Sequence, residues 1–164
     1  MRSLLLLLAL LTAATPSFAQ EKVLAIPSVK KMEDLKWTLL FPELGAKSPR
    51  IATLRTDPRT KSTAVLLRFP GPFHIPLHWH SSSESQMIVK GHVTVDLNGV
   101  RSELERGDFN YVPAKMPHES WTGKEGALIY IHSDGPWDFD WVDRPPNPRD
   151  LVGKPPRVEK KDED

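Results

Sequence analysis

His78-Trp79-His80-Ser81-Ser82-Ser83-Glu84, HWHSSSE in one-letter code, decides how this chain folds. The chain has 6 histidines in 164 residues, and two of them stand one residue apart here. Side chains alternate along a strand, so residues two apart share a face. His78 and His80 therefore project together, and Trp79 points the other way. Ser81 to Ser83 are turn formers that reverse the chain. Glu84 then opens the neighbouring strand and faces the same interior. Two imidazoles and a carboxylate converging on one point suit a divalent transition metal: Fe, Mn, Zn, Ni or Cu.

Downstream, GDFNYVPAKMPHESW (Gly107 to Trp121) supplies a further donor. Gly107-Asp108 is a tight turn before one strand, and Pro117 marks the start of the next, which carries His118. The candidate metal set is His78, His80, Glu84 and His118. Gln86 and Ile88 share Glu84's face, so Gln86 either hydrogen-bonds a metal-bound water or substrate or simply lines the wall. Glu84 and Gln86 are the candidate catalytic residues.

Around this stretch the pattern is strand after short strand. Trp37 to Phe41, Thr63 to Phe69, Phe73 to His80, Ser85 to Val89, His92 to Leu97, Val100 to Leu104, Phe109 to Val112, His118 to Thr122 and Ala127 to His132 read as strands, Thr63 to Phe69 being rich in β-branched and apolar residues. Lys90-Gly91 and Asn98-Gly99 read as hairpin turns. Val29 to Leu35 reads as a short helix. The 16 prolines argue against a helical bundle. This is an all-β chain, a sandwich or small barrel.

At this point the chain resembles the cupin superfamily. Gly71, His78, His80, Glu84 and Gly91 match its first motif, with one extra residue between Gly71 and His78. Gly107, Pro113 and His118 match its second. Lys115 stands where that motif has glycine, and Thr122 where it has asparagine; neither position is a ligand in the family. The resemblance implies a double-stranded β-helix, or jelly-roll barrel, over roughly residues 50–142, with the metal near its centre and the ligands named above. It implies no particular reaction.

The flanks differ in character. Residues 1–19 have a basic start, an apolar run from Leu4 to Leu11 and small residues before Gln20, as in a secretory signal peptide. That predicts a periplasmic or secreted protein with no membrane contact after cleavage. Cleavage removes Arg2, the only charge before Glu21, so the formal +1 becomes zero. A neutral chain has no field to hold nucleic acid. There is no cysteine, hence no disulfide and no thiolate ligand. Residues 20–49 are a mixed lead-in, and residues 143–164 a proline-rich charged tail, flexible or extended from Lys154 on.

Other residues carry weaker expectations. His74 has the parity of His78, which allows the pocket mouth, although a surface position suits it better. His92 is expected to be exposed. Tyr130 and His132 should face away from Ile129 and Ile131, and Glu119 away from the metal. Trp79 and Trp121 should brace the outer layer; Trp137 and Trp141 suit packing of the last strand or a dimer contact. A homodimer through the Trp37 to Leu40 edge is expected by analogy. The leading functional expectation is a metal-dependent, dioxygenase-like oxidoreductase acting on a small molecule. The alternative is a cupin that binds or senses a metal or ligand without turnover.

Overall fold

The computed structural model describes residues 27–152. The expected signal peptide and the tail from Lys154 lie outside them. Among the described residues nine strands form: β1 (Thr38–Leu39), β2 (Arg50–Thr56), β3 (Thr63–Phe69), β4 (Phe73–Trp79), β5 (Glu84–Leu97), β6 (Val100–Leu104), β7 (Phe109–Val112), β8 (His118–Ser133) and β9 (Asp140–Trp141). The all-β expectation holds. The expected helix from Val29 to Leu35 shrinks to one 3₁₀ turn at Met32–Asp34, without a side-chain cap or a buried residue. So short a segment cannot hold a helix without packing.

Two long strands organise everything else. β5 and β8 run antiparallel, from Glu84 opposite Ser133 to Leu97 opposite His118. The halves of each serve different layers. Residues 127–133 of β8 pair with β3, and Glu84 to Met87 of β5 pair with β7. Residues 118–122 of β8 pair with β4, and Val93 to Leu97 of β5 pair with β6. One layer thus reads β1-β2-β3-β8-β5-β7 and the other β9-β4-β8-β5-β6. Both long strands bend from one layer into the other, as a jelly roll requires.

The bends correct two expectations. Lys90-Gly91 is not a hairpin, and His118–Thr122 and Ala127–His132 are not separate strands. Register shifts flank Gly91, and the chain runs on through a bulge. Gly91 has φ +85°, and a Cβ there would meet Gly126 O at 2.2 Å. Gly126 has φ +69°, and its Cβ would meet Phe69 O at 2.0 Å. Glycine supplies the left-handed backbone a turn wants; here the same freedom makes a corner. Asn98-Gly99 does form its turn, with φ of +54° and +86°.

The layers enclose Val65, Leu67, Phe69, Phe73, Ile75, Ile88, Val93, Val95, Ile129 and Ile131. The lead-in plugs one end: Phe41 is buried and stacks on Phe73 at 5.9 Å. Lys115 holds the left-handed conformation, φ +62°, where a glycine would sit more easily. The turn still closes, with Lys115 N donating to His80 O at 2.9 Å. Thr122 donates from Oγ1 to Gly71 O at 2.8 Å, tying β8 to the turn between β3 and β4. The segment 143–152 is docked: Asp150 is buried, and Arg144 grips it with two bonds of 2.7 and 3.1 Å. No helix among the described residues is long and apolar enough to cross a membrane.

Candidate metal centre

β4 carries His78 and ends beside His80. Its register slips by one residue between Ile75 and His78, at Pro76-Leu77. Proline cannot donate to a ladder, so a bulge is where it fits. The slip puts Ile75 and His78 on the same inner face and sends His74 outside, where strict alternation would have kept it with His78. His74 is therefore not at the pocket mouth. It stacks on Trp121 at 4.8 Å, and its nitrogens meet Glu119 Oε2 at 2.9 Å and Asp150 Oδ1 at 3.1 Å. Glu119 and Trp121 accordingly face away from the cluster, as alternation requires. His92 is exposed, as expected.

The structure brings His78, His80, Glu84 and His118 together, and all four are buried. The three imidazoles offer ligand atoms within 4.8 Å of one another. Glu84 Oε1 lies 3.4 Å from His80 Nε2 and 3.5 Å from His118 Nε2. Each ring is oriented from behind. Nδ1 of His78 donates to Pro76 O at 2.8 Å, Nδ1 of His118 to Met116 O at 3.0 Å, and Nδ1 of His80 to Asp138 O. A nitrogen that donates to a carbonyl carries the proton, so the Nε2 lone pairs are left for the interior. His118 Nε2 is buried with no hydrogen-bond partner.

Glu84 is held on both sides. Gln86 Nε2 donates to its Oε1, and Trp137 Nε1 donates to its Oε2 at 3.0 Å. Burial pushes the Glu84 carboxyl up, but the His118 and His80 rings facing it win and hold it below the usual carboxylate range. Burial drives His78 down to about 2, with the neighbouring His118 and His80 adding to the effect. Burial also pulls His80 down, but the adjacent Glu84 carboxylate outweighs it and the net direction is up.

Three inward lone pairs, one of them unpartnered, beside a buried carboxylate are a poor arrangement for protein alone. They fit a divalent cation, which would satisfy all of them at once. The walls are Leu67, Phe69, Ile75, Ile129 and Ile131, with Ser120 and Gln86 as polar points. The cavity is about 20 Å³. That is room for about one water molecule.

Two lining residues escaped the sequence reading. Trp137 and Phe139 close the cavity from the segment after β8. Phe139 lies 4.9 Å from the His78 ring and 5.2 Å from His80, with Trp141 stacked behind it at 4.8 Å. The signal was there: Trp137, Phe139 and Trp141 alternate, so all three aromatic rings can share one face. Ser81 and Ser83 have a second use beyond the turn. Ser81 N donates to Asp138 Oδ1 at 2.9 Å, Ser81 Oγ donates to Asp138 Oδ2, and Ser83 Oγ donates to Asp134.

Comparison with known proteins agrees with this architecture. A Cupin domain family model matches residues 67–134. An acetylacetone dioxygenase from Acinetobacter johnsonii superposes with a TM-score of 0.61 at 17% identity, over 77% of this chain and 85% of that one. An RmlC-like cupin from Shewanella frigidimarina gives 0.56 at 21% identity, over 67% and 93%. A deletion mutant of Bacillus subtilis oxalate decarboxylase gives 0.53 at 21% identity, over 71% of this chain but 33% of that one. The Bacillus enzyme has Mn(II) centres. At these identities the likeness is one of fold. No curated protein matches the sequence.

Proposed function

The chain belongs to the cupin superfamily, and from that premise we propose that it holds one divalent transition metal on His78, His80, Glu84 and His118 and acts on a small molecule as a dioxygenase-like enzyme. The observation that carries the reading is the set of three buried Nε2 lone pairs aimed at one point beside a carboxylate. When bound, the ion supplies Lewis-acid or redox chemistry at the positions the protein leaves open.

The chain's own residues do the rest. Pro76 O, Met116 O and Asp138 O fix the three rings. Gln86 and Trp137 hold Glu84 in place. Glu84 is the anionic donor. The aliphatic walls keep bulk water out, which strengthens every charge interaction inside.

The test is metal content and turnover together. Purified protein should carry a transition metal, and His78→Ala and His118→Ala should lose it. Unchanged content in both variants would sink the site. Oxygen uptake with a panel of small organic anions then tests the reaction class.

A second reading is a cupin that retains or senses a metal without turnover. The small size of the closed cavity favours it. A loaded protein that transforms nothing, and whose structure changes with metal, would select it. Export to the periplasm or beyond belongs to the proposal too; it rests on residues 1–19 and is checked by the mass of protein recovered outside the cytoplasm. Strand β1 ends its sheet path, so a homodimer through that edge is checked by sedimentation.

A further inference from the structure

We infer that Trp137 and Phe139 are the specificity-determining wall of the site, a wall that admits a compact, mostly apolar oxygen monoanion only when the segment bearing it withdraws. This rests on the metal reading above.

The segment lies across the cluster. Trp137 touches Glu84 through its indole N–H and stacks near His80, with ring centroids 5.9 Å apart. Phe139 packs on His78 and His80, and Asp138 O accepts from His80. With the wall in place the cavity of about 20 Å³ holds no organic ligand.

This wall differs from the others in how it is held. Leu67, Phe69, Ile129 and Ile131 sit on strands paired on both sides within their layers, and Ile75 is laddered to β8. Trp137 and Phe139 lie outside any strand, and β9 after them is two residues long at the end of its sheet path. Beyond the aromatic contacts and the two-residue pairing of β9 with His78 and Trp79, the attachments are polar. Asp134 and Asp138 accept from Ser83 and Ser81. Farther on, Asp150 accepts from His74, Arg144 and the Asn147 amide. That clasp pins the chain to the outer face of β4, away from the cluster. The only part of the cavity free to move without breaking a ladder of several strands is the aromatic one.

The ligand class follows from charge and lining. A divalent cation with one carboxylate and three neutral imidazoles leaves one positive charge in an apolar space. A monoanion offering oxygen cancels it, and an uncharged or cationic ligand does not. The aliphatic lining and the two aromatic rings suit an apolar body behind that oxygen.

The experiment uses full-length protein loaded with Co(II), whose visible spectrum reports binding at the ion. Fluoride, the size of a water, and benzoate are the probes, with benzylamine as the cationic control. Fluoride should bind wild type, Asp150→Ala and His74→Phe alike, and benzylamine should not bind. Benzoate should bind wild type slowly and enter Asp150→Ala roughly tenfold faster, because less closed-state contact is lost on opening. His74→Phe keeps the stack on Trp121 and removes one tie to Asp150, so it should fall between. Trp137→Ala should change the ratio of benzoate to fluoride affinity, which cancels any change at the ion common to both probes, and Trp137→Phe should restore most of that ratio. Equal benzoate entry rates in wild type, Asp150→Ala and Trp137→Ala overturn the inference. If wild type takes up no Co(II), the metal reading fails separately. The wall is then read in metal-free protein by hydrogen exchange. Faster exchange of residues 136–141 in Asp150→Ala, with β3 and β8 unchanged, supports it; unaltered exchange overturns it.

Discussion

Two histidine–carboxylate clusters share the same strands and face opposite ways. On the inner side, His78 of β4 and His118 of β8 stand with His80 and Glu84. On the outer side, His74 of β4 and Glu119 of β8 stand with Asp150. The outer ring has both nitrogens against carboxylates, 2.9 Å from Glu119 and 3.1 Å from Asp150. The inner rings spend one nitrogen each on a backbone carbonyl and keep the other unspent. Residue types alone do not separate the two clusters. What separates them is whether a lone pair is left over: the outer cluster is a finished hydrogen-bonded link, and the inner one suits a cation.

The strongest way to break this contrast is to remove a ring from each side. His78→Ala or His118→Ala should weaken metal binding by more than ~100-fold, measured by competition with a chelator of known affinity. His74→Ala should leave metal affinity unchanged; a comparable loss would erase the distinction.

Asp150→Ala tests the outer side as structure. Asp150 is buried, but Arg144 is about half exposed, so water screens part of the pair. The expected cost is about 2 kcal/mol of stability, read by chemical denaturation, with metal content intact.

A smaller effect sharpens the inner side. Gln86→Ala removes one donor to Glu84 and should weaken metal affinity roughly tenfold, about 1.4 kcal/mol, by the same chelator competition.

The smallest effect is one of pH. Burial raises the Asp150 carboxyl, but the Arg144 guanidinium and the Asn147 amide outweigh it and hold it below its ordinary value. A carboxyl lowered in the folded state stabilises fully above its unfolded value of ~3.9 and loses that contribution as pH falls through the folded value. Metal-free wild type should therefore lose about 1 kcal/mol more than Asp150→Asn between pH 5 and pH 3, followed by thermal melts. Parallel pH profiles would show that the clasp carries no linkage.

The inner cluster was readable because its geometry is local. Alternation places His78 with His80, three serines reverse the chain, and Glu84 lands on the same face. Strand positions such as Thr63–Phe69 and Val100–Leu104 followed from composition in the same way. The failures share one cause: a contact distant in sequence. Lys90-Gly91 has the local chemistry of a turn, and only the Gly126 carbonyl beside it makes it a corner. Phe41 closes the expected Trp37 to Phe41 strand, but its place in the core comes from the stack on the distant Phe73. Trp137 read as strand packing or a dimer contact and Phe139 carried no expectation, because nothing within ten residues of them shows the path back over β4.

The heptapeptide from His78 to Glu84 has a consequence for how mutations combine. Three of its members are donors, while Ser81 and Ser83 hold Asp138 and Asp134 of the covering segment. Ser81→Ala and Asp150→Ala lie far apart in the chain, yet both loosen the same covering segment. Their effects on ligand entry should fall short of additivity, because whichever change comes second finds the segment already partly freed.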